Sequence, residues 1–171
     1  WEDHLNGVIS SCYGKLATLH KLKNFTNFRL RKQLVECLIF STIDYNDSIL
    51  TLNDAQIKKL QRLQLAACSF VHKRFVKIDD VIKIGWLPII ERRQYNTLKL
   101  VYKALHFDNW PITCSILRKR IMNGLRNEND VLLQQSKINR TFQDHAAKLF
   151  NDLPIDIRRI ETKKSLPTFC K

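Results

Sequence analysis

The sequence predicts an all-α protein: a compact multi-helix bundle of about five to six helices with a basic irregular loop near residues 108–140. Three observations carry that prediction. Apolar residues recur at three- and four-residue spacing in successive segments. Only four glycines and four prolines punctuate 171 residues. At 44% apolar and 26% charged, the chain has the composition of a folding sequence rather than a disordered one. The length suits one domain, and domains near this size bury about two thirds of their unfolded-chain surface.

The first helix rests on Leu5, Val8, Ile9, Cys12, Leu16 and Leu19 and should stop near Asn24. Asn24-Phe25-Thr26-Asn27 reads as a turn. A second helix follows, with Leu30, Leu34, Leu38 and Val35 expected to face inward. Its expected end is the polar, turn-prone Asp44-Tyr45-Asn46-Asp47. Asn53 or Asp54 can cap a third helix over Asp54–Lys73, because short polar side chains accept the orphan N–H groups of a first turn. At about 100° per residue, Leu60, Leu63, Ala67, Phe70 and Val71 share one face of that helix. Lys58, Arg62, Ser69 and Lys73 fall in a narrow arc on the other side.

Ile78–Ile84 reads as a short helix ended by Gly85, a residue suited to the left-handed position past a helix end. Asp79-Asp80 lies at its start, where negative charge complements the helix dipole, so capping rather than catalysis is its expected role. Pro88 fits the first turn of a fourth helix, Pro88–His106. Ile90, Leu98, Val101 and Leu105 make its expected core stripe. Arg92, Asn96, Lys99 and Lys103 line a separate stripe, with Tyr95 and Tyr102 on the boundary. Asp108-Asn109-Trp110-Pro111 breaks the helix. Beyond it come the basic triplet Arg118-Lys119-Arg120, polar residues 123–130 and a candidate short strand around Val131–Leu133. Helix resumes over 141–151 on Ala146, Ala147, Leu149 and Phe150, ends at Leu153-Pro154, and gives a further short turn at Ile155–Ile160. Residues 1–107 are thus expected to form a helical core, 108–140 an irregular basic connection, and 141–171 a helix and tail on that same core. The chain starts at Trp1 rather than Met, which gives the expectation of a segment from a longer protein.

Charge points to the partner. Lys and Arg number 29 against 16 Asp and Glu, a net charge of +13, and the pI is 9.8. Such a balance favours an acidic partner, of which nucleic acid is the commonest, or it simply keeps the surface soluble. Residues 51–107 hold 11 Lys and Arg against 4 Asp and Glu, whereas residues 1–50 balance to +1. The excess therefore centres on the two helices that carry basic stripes. Cations neutralise phosphates and aromatic rings stack on bases, so a basic stripe edged by tyrosines suits single-stranded nucleic acid. The competing reading is a solvated basic face with tyrosines closing the core edge. The candidate binding residues are Lys58, Arg62, Lys73, Arg92, Lys99, Lys103, Tyr95, Tyr102, Arg118, Lys119 and Arg120.

Other classes find little support. No run of 18 apolar residues is present, so a membrane partner is not expected. Cys12, Cys37, Cys68, Cys114 and Cys170 include no pair at zinc-site spacing, and the five histidines form no ligand pair. No metal or other cofactor is expected. Cys12, Cys37 and Cys68 lie within helical apolar patterns and should be buried free thiols in a reducing, intracellular compartment. Neither a glycine-rich phosphate loop nor a Gly-x-Ser-x-Gly elbow occurs, so neither a small-molecule substrate nor a self-contained enzyme is expected.

Five stretches, in order, resemble one family. They are Trp1-Glu2-Asp3-His4; Leu38-Ile39 with Ile43-Asp44-Tyr45; Ile57-Lys58-Lys59-Leu60-Gln61-Arg62-Leu63-Gln64 with Ala67; Trp86-Leu87-Pro88-Ile89 with Arg92-Arg93 and Tyr102-Lys103; and Phe142, Ala146-Ala147, Leu149-Phe150-Asn151-Asp152-Leu153-Pro154 and Ile157-Arg158. Together they resemble the C-terminal, post-thumb region of reverse transcriptases from non-LTR (LINE-type, jockey-like) retrotransposons. Leu65 stands where that family usually has Asn, and Phe150 where it has Trp. The family's paired-Asp polymerase motif, its endonuclease domain and the Cys/His knuckle of some members are not in this chain. The resemblance implies a parent RNA-directed DNA polymerase acting in the nucleus, with the remaining reverse transcriptase domains as partners. This segment would help hold template RNA or target DNA. The alternative is a structural or protein-interaction remnant that packs on the polymerase thumb and binds no nucleic acid of its own.

Overall fold

A computed structural model describes residues 2–47, 52–106, 132–138 and 141–158. These are mostly helical, with no strand among the described residues. The elements are α1 (Glu2–Lys21), α2 (Phe28–Val35), a π-helical turn (Glu36–Phe40), α3 (Ser41–Asp47), α4 (Asp54–His72), α5 (Ile78–Lys83), α6 (Ile89–His106), α7 (Phe142–Asn151) and α8 (Ile155–Arg158). The chain divides into two units, residues 1–96 and 97–171, with the boundary inside α6.

In the first unit, α1 carries Glu2 and Asp3 in its first turn and His20 and Lys21 in its last, each matched to the helix dipole. It buries Leu5, Cys12, Leu16 and Leu19, packing on α4, the π turn and α3. α4 opens with a capping box: Gln56 N–H donates to Asn53 Oδ1 at 2.9 Å, and Asn53 N–H donates to Gln56 Oε1 at 2.9 Å. Leu60, Leu63, Ala67, Phe70 and Val71 are all buried, as their shared face requires. Each larger apolar side chain so buried contributes about 1.5–3 kcal/mol. Gln64 is fully buried yet satisfied, because its Nε2 donates to the Leu87 carbonyl at 2.8 Å and its Oε1 accepts from Gln61 at 2.9 Å.

α5 ends in a Schellman motif. Trp86 N–H donates to the Val81 carbonyl and Gly85 N–H to the Ile82 carbonyl, with Gly85 at φ +85°. That turn sends Trp86 into the core, edge-on to Phe40 at 4.6 Å, while its Nε1 donates to Glu36 Oε1 at 2.7 Å.

The α2 region departs from the expected register. Leu30 and Leu38 are exposed, whereas Arg31, Val35, Ile39, Phe40 and Ile43 are buried. Three leucines at four-residue spacing give a stripe one residue out of phase with the true one. Arg31 can point inward because its Nε donates to the Val71 carbonyl at 2.9 Å and its Nη1 to the Thr26 carbonyl. The π turn, in which Ser41 N–H reaches back five residues to the Glu36 carbonyl, takes an extra residue and keeps Ile39 and Ile43 on the inner side. The described helix runs on to Asp47, the last residue of the segment where its end is expected. Cys37 lies on the outer side of the π turn and is exposed, unlike Cys12 and Cys68.

In the second unit, α7 is capped by Thr141, whose Oγ1 accepts from Asp144 N–H at 3.2 Å. Ala146, Ala147 and Phe150 pack with Val101 and Leu133. Asn151 grips Leu133 on both sides: its Oδ1 accepts from the Leu133 N–H at 2.8 Å, and its Nδ2 donates to the Leu133 carbonyl at 3.0 Å. The buried apolar residues thus form two clusters, one per unit, where the sequence reading has a single core. Most of the 108–140 connection, with Val131, lies outside the described residues, as does the chain beyond Arg158.

Candidate nucleic-acid interface

α4 presents its basic side to solvent as a consequence of its amphipathic pattern. Lys58 and Arg62, one turn apart, are exposed, and no hydrogen bond or ion pair among the described residues engages them. Their neighbour Lys59 is held instead, 3.8 Å from Glu2 and 3.2 Å from Asn6 Oδ1. Ser69 drops out of the arc, because its hydroxyl donates to the Arg74 carbonyl at 2.6 Å. Lys73 is exposed and ends the helix in the left-handed conformation, φ +59°.

Arg92 closes on Asp44 through two bonds, Nε to Oδ1 at 2.9 Å and Nη2 to Oδ2 at 2.5 Å. Its guanidinium carbon lies 4.4 Å from the Phe40 ring centroid. Asn96 adds a bond from Nδ2 to Asp44 Oδ1 at 3.2 Å. A doubly bonded, ring-stacked guanidinium is a structural tie between α6 and α3. Ile90, expected in the core, is half exposed, and Ile89 is buried in its place. Tyr95 is half exposed.

In the second unit, Lys99 is exposed, while Lys103 is half-buried and engaged in an interaction. Tyr102 is half-buried, with its hydroxyl oxygen shielded from water. Arg118, Lys119 and Arg120 lie outside the described residues.

The sequence reading missed a group at the end of α4. Arg74 forms a two-bond pair with Asp80, at 2.7 and 3.3 Å. That pair, with the Lys77 N–H at 3.0 Å, holds the Asp80 carboxyl down to about 2. Asp80 therefore caps α5, as expected, and also fastens the α4–α5 loop. Burial, reinforced by the negative charge of Asp80, pushes the Cys68 thiol up to about 11, and burial likewise raises Cys12. Beside this loop, Phe75 is 85% exposed, and Phe25 in the α1–α2 turn is 88% exposed. The clue in the sequence was cations interleaved with rings, in Lys23-Asn24-Phe25 and Lys73-Arg74-Phe75-Val76-Lys77.

Among the described residues, no cluster of three or more His, Cys, Asp or Glu could hold a metal ion, and no helix is long and apolar enough to cross a membrane. No protein-family model matches the chain, and no significant match appears among curated proteins or solved structures.

Proposed function

We propose that the chain is a nucleic-acid-binding helical module from the C-terminal region of a non-LTR retrotransposon reverse transcriptase, where it helps hold template RNA or target DNA. The observation that carries this reading is the pair Lys58 and Arg62. They stand one turn apart, exposed and unpartnered among the described residues, on a helix whose opposite face is fully buried. Four residues of helix separate them by a rise of about 6 Å, so both heads can meet one phosphate backbone. The net charge of +13 supplies the surrounding field. The five ordered stretches quoted above support the parentage, and the polymerase chemistry itself would belong to other domains of that parent.

The test is fluorescence anisotropy with labelled single-stranded RNA and duplex DNA over a range of salt. Wild-type protein should bind with log affinity falling linearly on log salt. Lys58→Glu with Arg62→Glu should weaken binding and flatten that slope by about 1.4 on a single strand, two phosphates at roughly 0.7 each. Affinity indifferent to salt, or unchanged in the double variant, rejects the assignment. A second reading, docking on the polymerase thumb, draws on Leu30 and Leu38, which lie exposed along one helical run. It predicts no nucleic-acid binding at physiological salt.

A further inference from the structure

The surface where the α1–α2 turn meets the end of α4 has a composition unlike the rest of the first unit. Residues 20–35 contain five Lys or Arg and no acid, and residues 70–78 contain three and no acid. Arg31 ties the two segments together, donating to the Thr26 carbonyl on one side and the Val71 carbonyl on the other. Phe28 meets His72 edge-on at 5.4 Å, and His20 meets Phe70 at 5.2 Å. Of the acids that border these windows, Glu36 lies 3.8 Å from Lys32 and Asp80 is held by Arg74, while Asp79 is exposed. Two phenyl rings, Phe25 beside Thr26 and Phe75 four residues past Val71, are left almost wholly in water. Lys73 occupies a left-handed position that glycine fills at less strain.

We propose that this surface is a platform for single-stranded nucleic acid, on which Phe25 and Phe75 stack on unpaired bases while Lys23, Arg29, Lys73 and Lys77 neutralise the phosphates. The proposal rests on the nucleic-acid reading above and adds to it a second site and a strand preference. Exposed rings gain a partner from unpaired bases, whose faces are open, and not from a duplex, whose bases already stack on one another. The rings alternate with cations on two separate segments, which suits a strand that alternates base and phosphate. An anionic lipid surface is better matched by a contiguous apolar tip.

The experiment compares binding of a short oligouridine and of a DNA duplex by the full 171-residue chain. Phe25→Ala with Phe75→Ala should weaken oligouridine binding about 100-fold, roughly tenfold per stacked ring, and leave duplex binding unchanged. Phe25→Trp should retain oligouridine binding, and its fluorescence should be quenched as bases stack on it. Circular dichroism and thermal melting of each variant establish that the fold is kept, as the exposure of both rings predicts. If the double alanine variant binds oligouridine like wild type while wild type binds both ligands, the platform is overturned and the nucleic-acid reading stands. If wild type binds neither oligonucleotide, both fall, and uptake on phosphatidylserine vesicles would then identify the rings as a lipid contact.

Discussion

On α4, Lys58 and Arg62 extend into water with no protein partner among the described residues, whereas on α6 the guanidinium of Arg92 is closed on Asp44 and stacked over Phe40. Both basic stripes look the same as sequence: cations at helical spacing, set apart from an apolar stripe. The difference is what lies across from them. On α4, among the described residues, Lys59 pairs with Glu2 while Lys58 and Arg62 form no ion pair. α6 meets α3 at Asp44. A basic stripe is therefore a binding surface only to the extent that the fold supplies no carboxylate to absorb it.

Substitution should separate the two stripes cleanly. The largest effect on stability is expected at Arg92. Arg92→Ala leaves Asp44 without its two charged hydrogen bonds and Phe40 without its cation, a loss of about 2 kcal/mol in urea or thermal unfolding. Arg92→Lys should recover little of this, since a single ammonium cannot reproduce the two-pronged geometry. Arg62→Ala should leave stability within about 0.5 kcal/mol. Equal costs at the two sites would erase the contrast.

A smaller and opposite effect is expected at Lys73. Lys73→Gly relieves the left-handed strain and should stabilise the protein by about 0.5–1 kcal/mol, while weakening oligouridine binding through loss of one cation. Gain in one property with loss in the other marks a residue retained for contact rather than for folding. The smallest effect is a change in pH response at Asp80. Its carboxyl is depressed in the folded state, so the stability it contributes is present above the ordinary value of about 4 and is lost as pH falls toward about 2. Arg74→Ala should remove much of that acid-limb dependence, visible as a shallower fall in melting temperature between those pH values.

Legibility follows the range of the forces involved. α4 was readable because its cap, its apolar face and its end are all local: Asn53 bonds Gln56 three residues on, and Leu60 to Val71 repeat within a few turns. Gly85 was readable for the same reason. Arg31 was not, since its burial depends on the carbonyl of Val71, forty residues away. Arg92 was not, since Asp44 is 48 residues away. Phe25 and Phe75 escaped because hydrophobic pattern reading looks for rings that enter a core, and these two stay outside it. Cys37 looked buried only because the wider turn that carries it leaves no mark in local spacing.

That wider turn, Glu36–Phe40, has a consequence for how the gene can change. In coding terms it holds one codon more than an ordinary α turn needs. Deleting one codon there would close it to an ordinary α turn and rotate one flank by about 100° against the other. Either Arg31 or Ile43 would then swing out of the core. The spacing between Arg31 and Ile43 is therefore a structural length: both side chains reach the core only while the extra residue of the turn is kept.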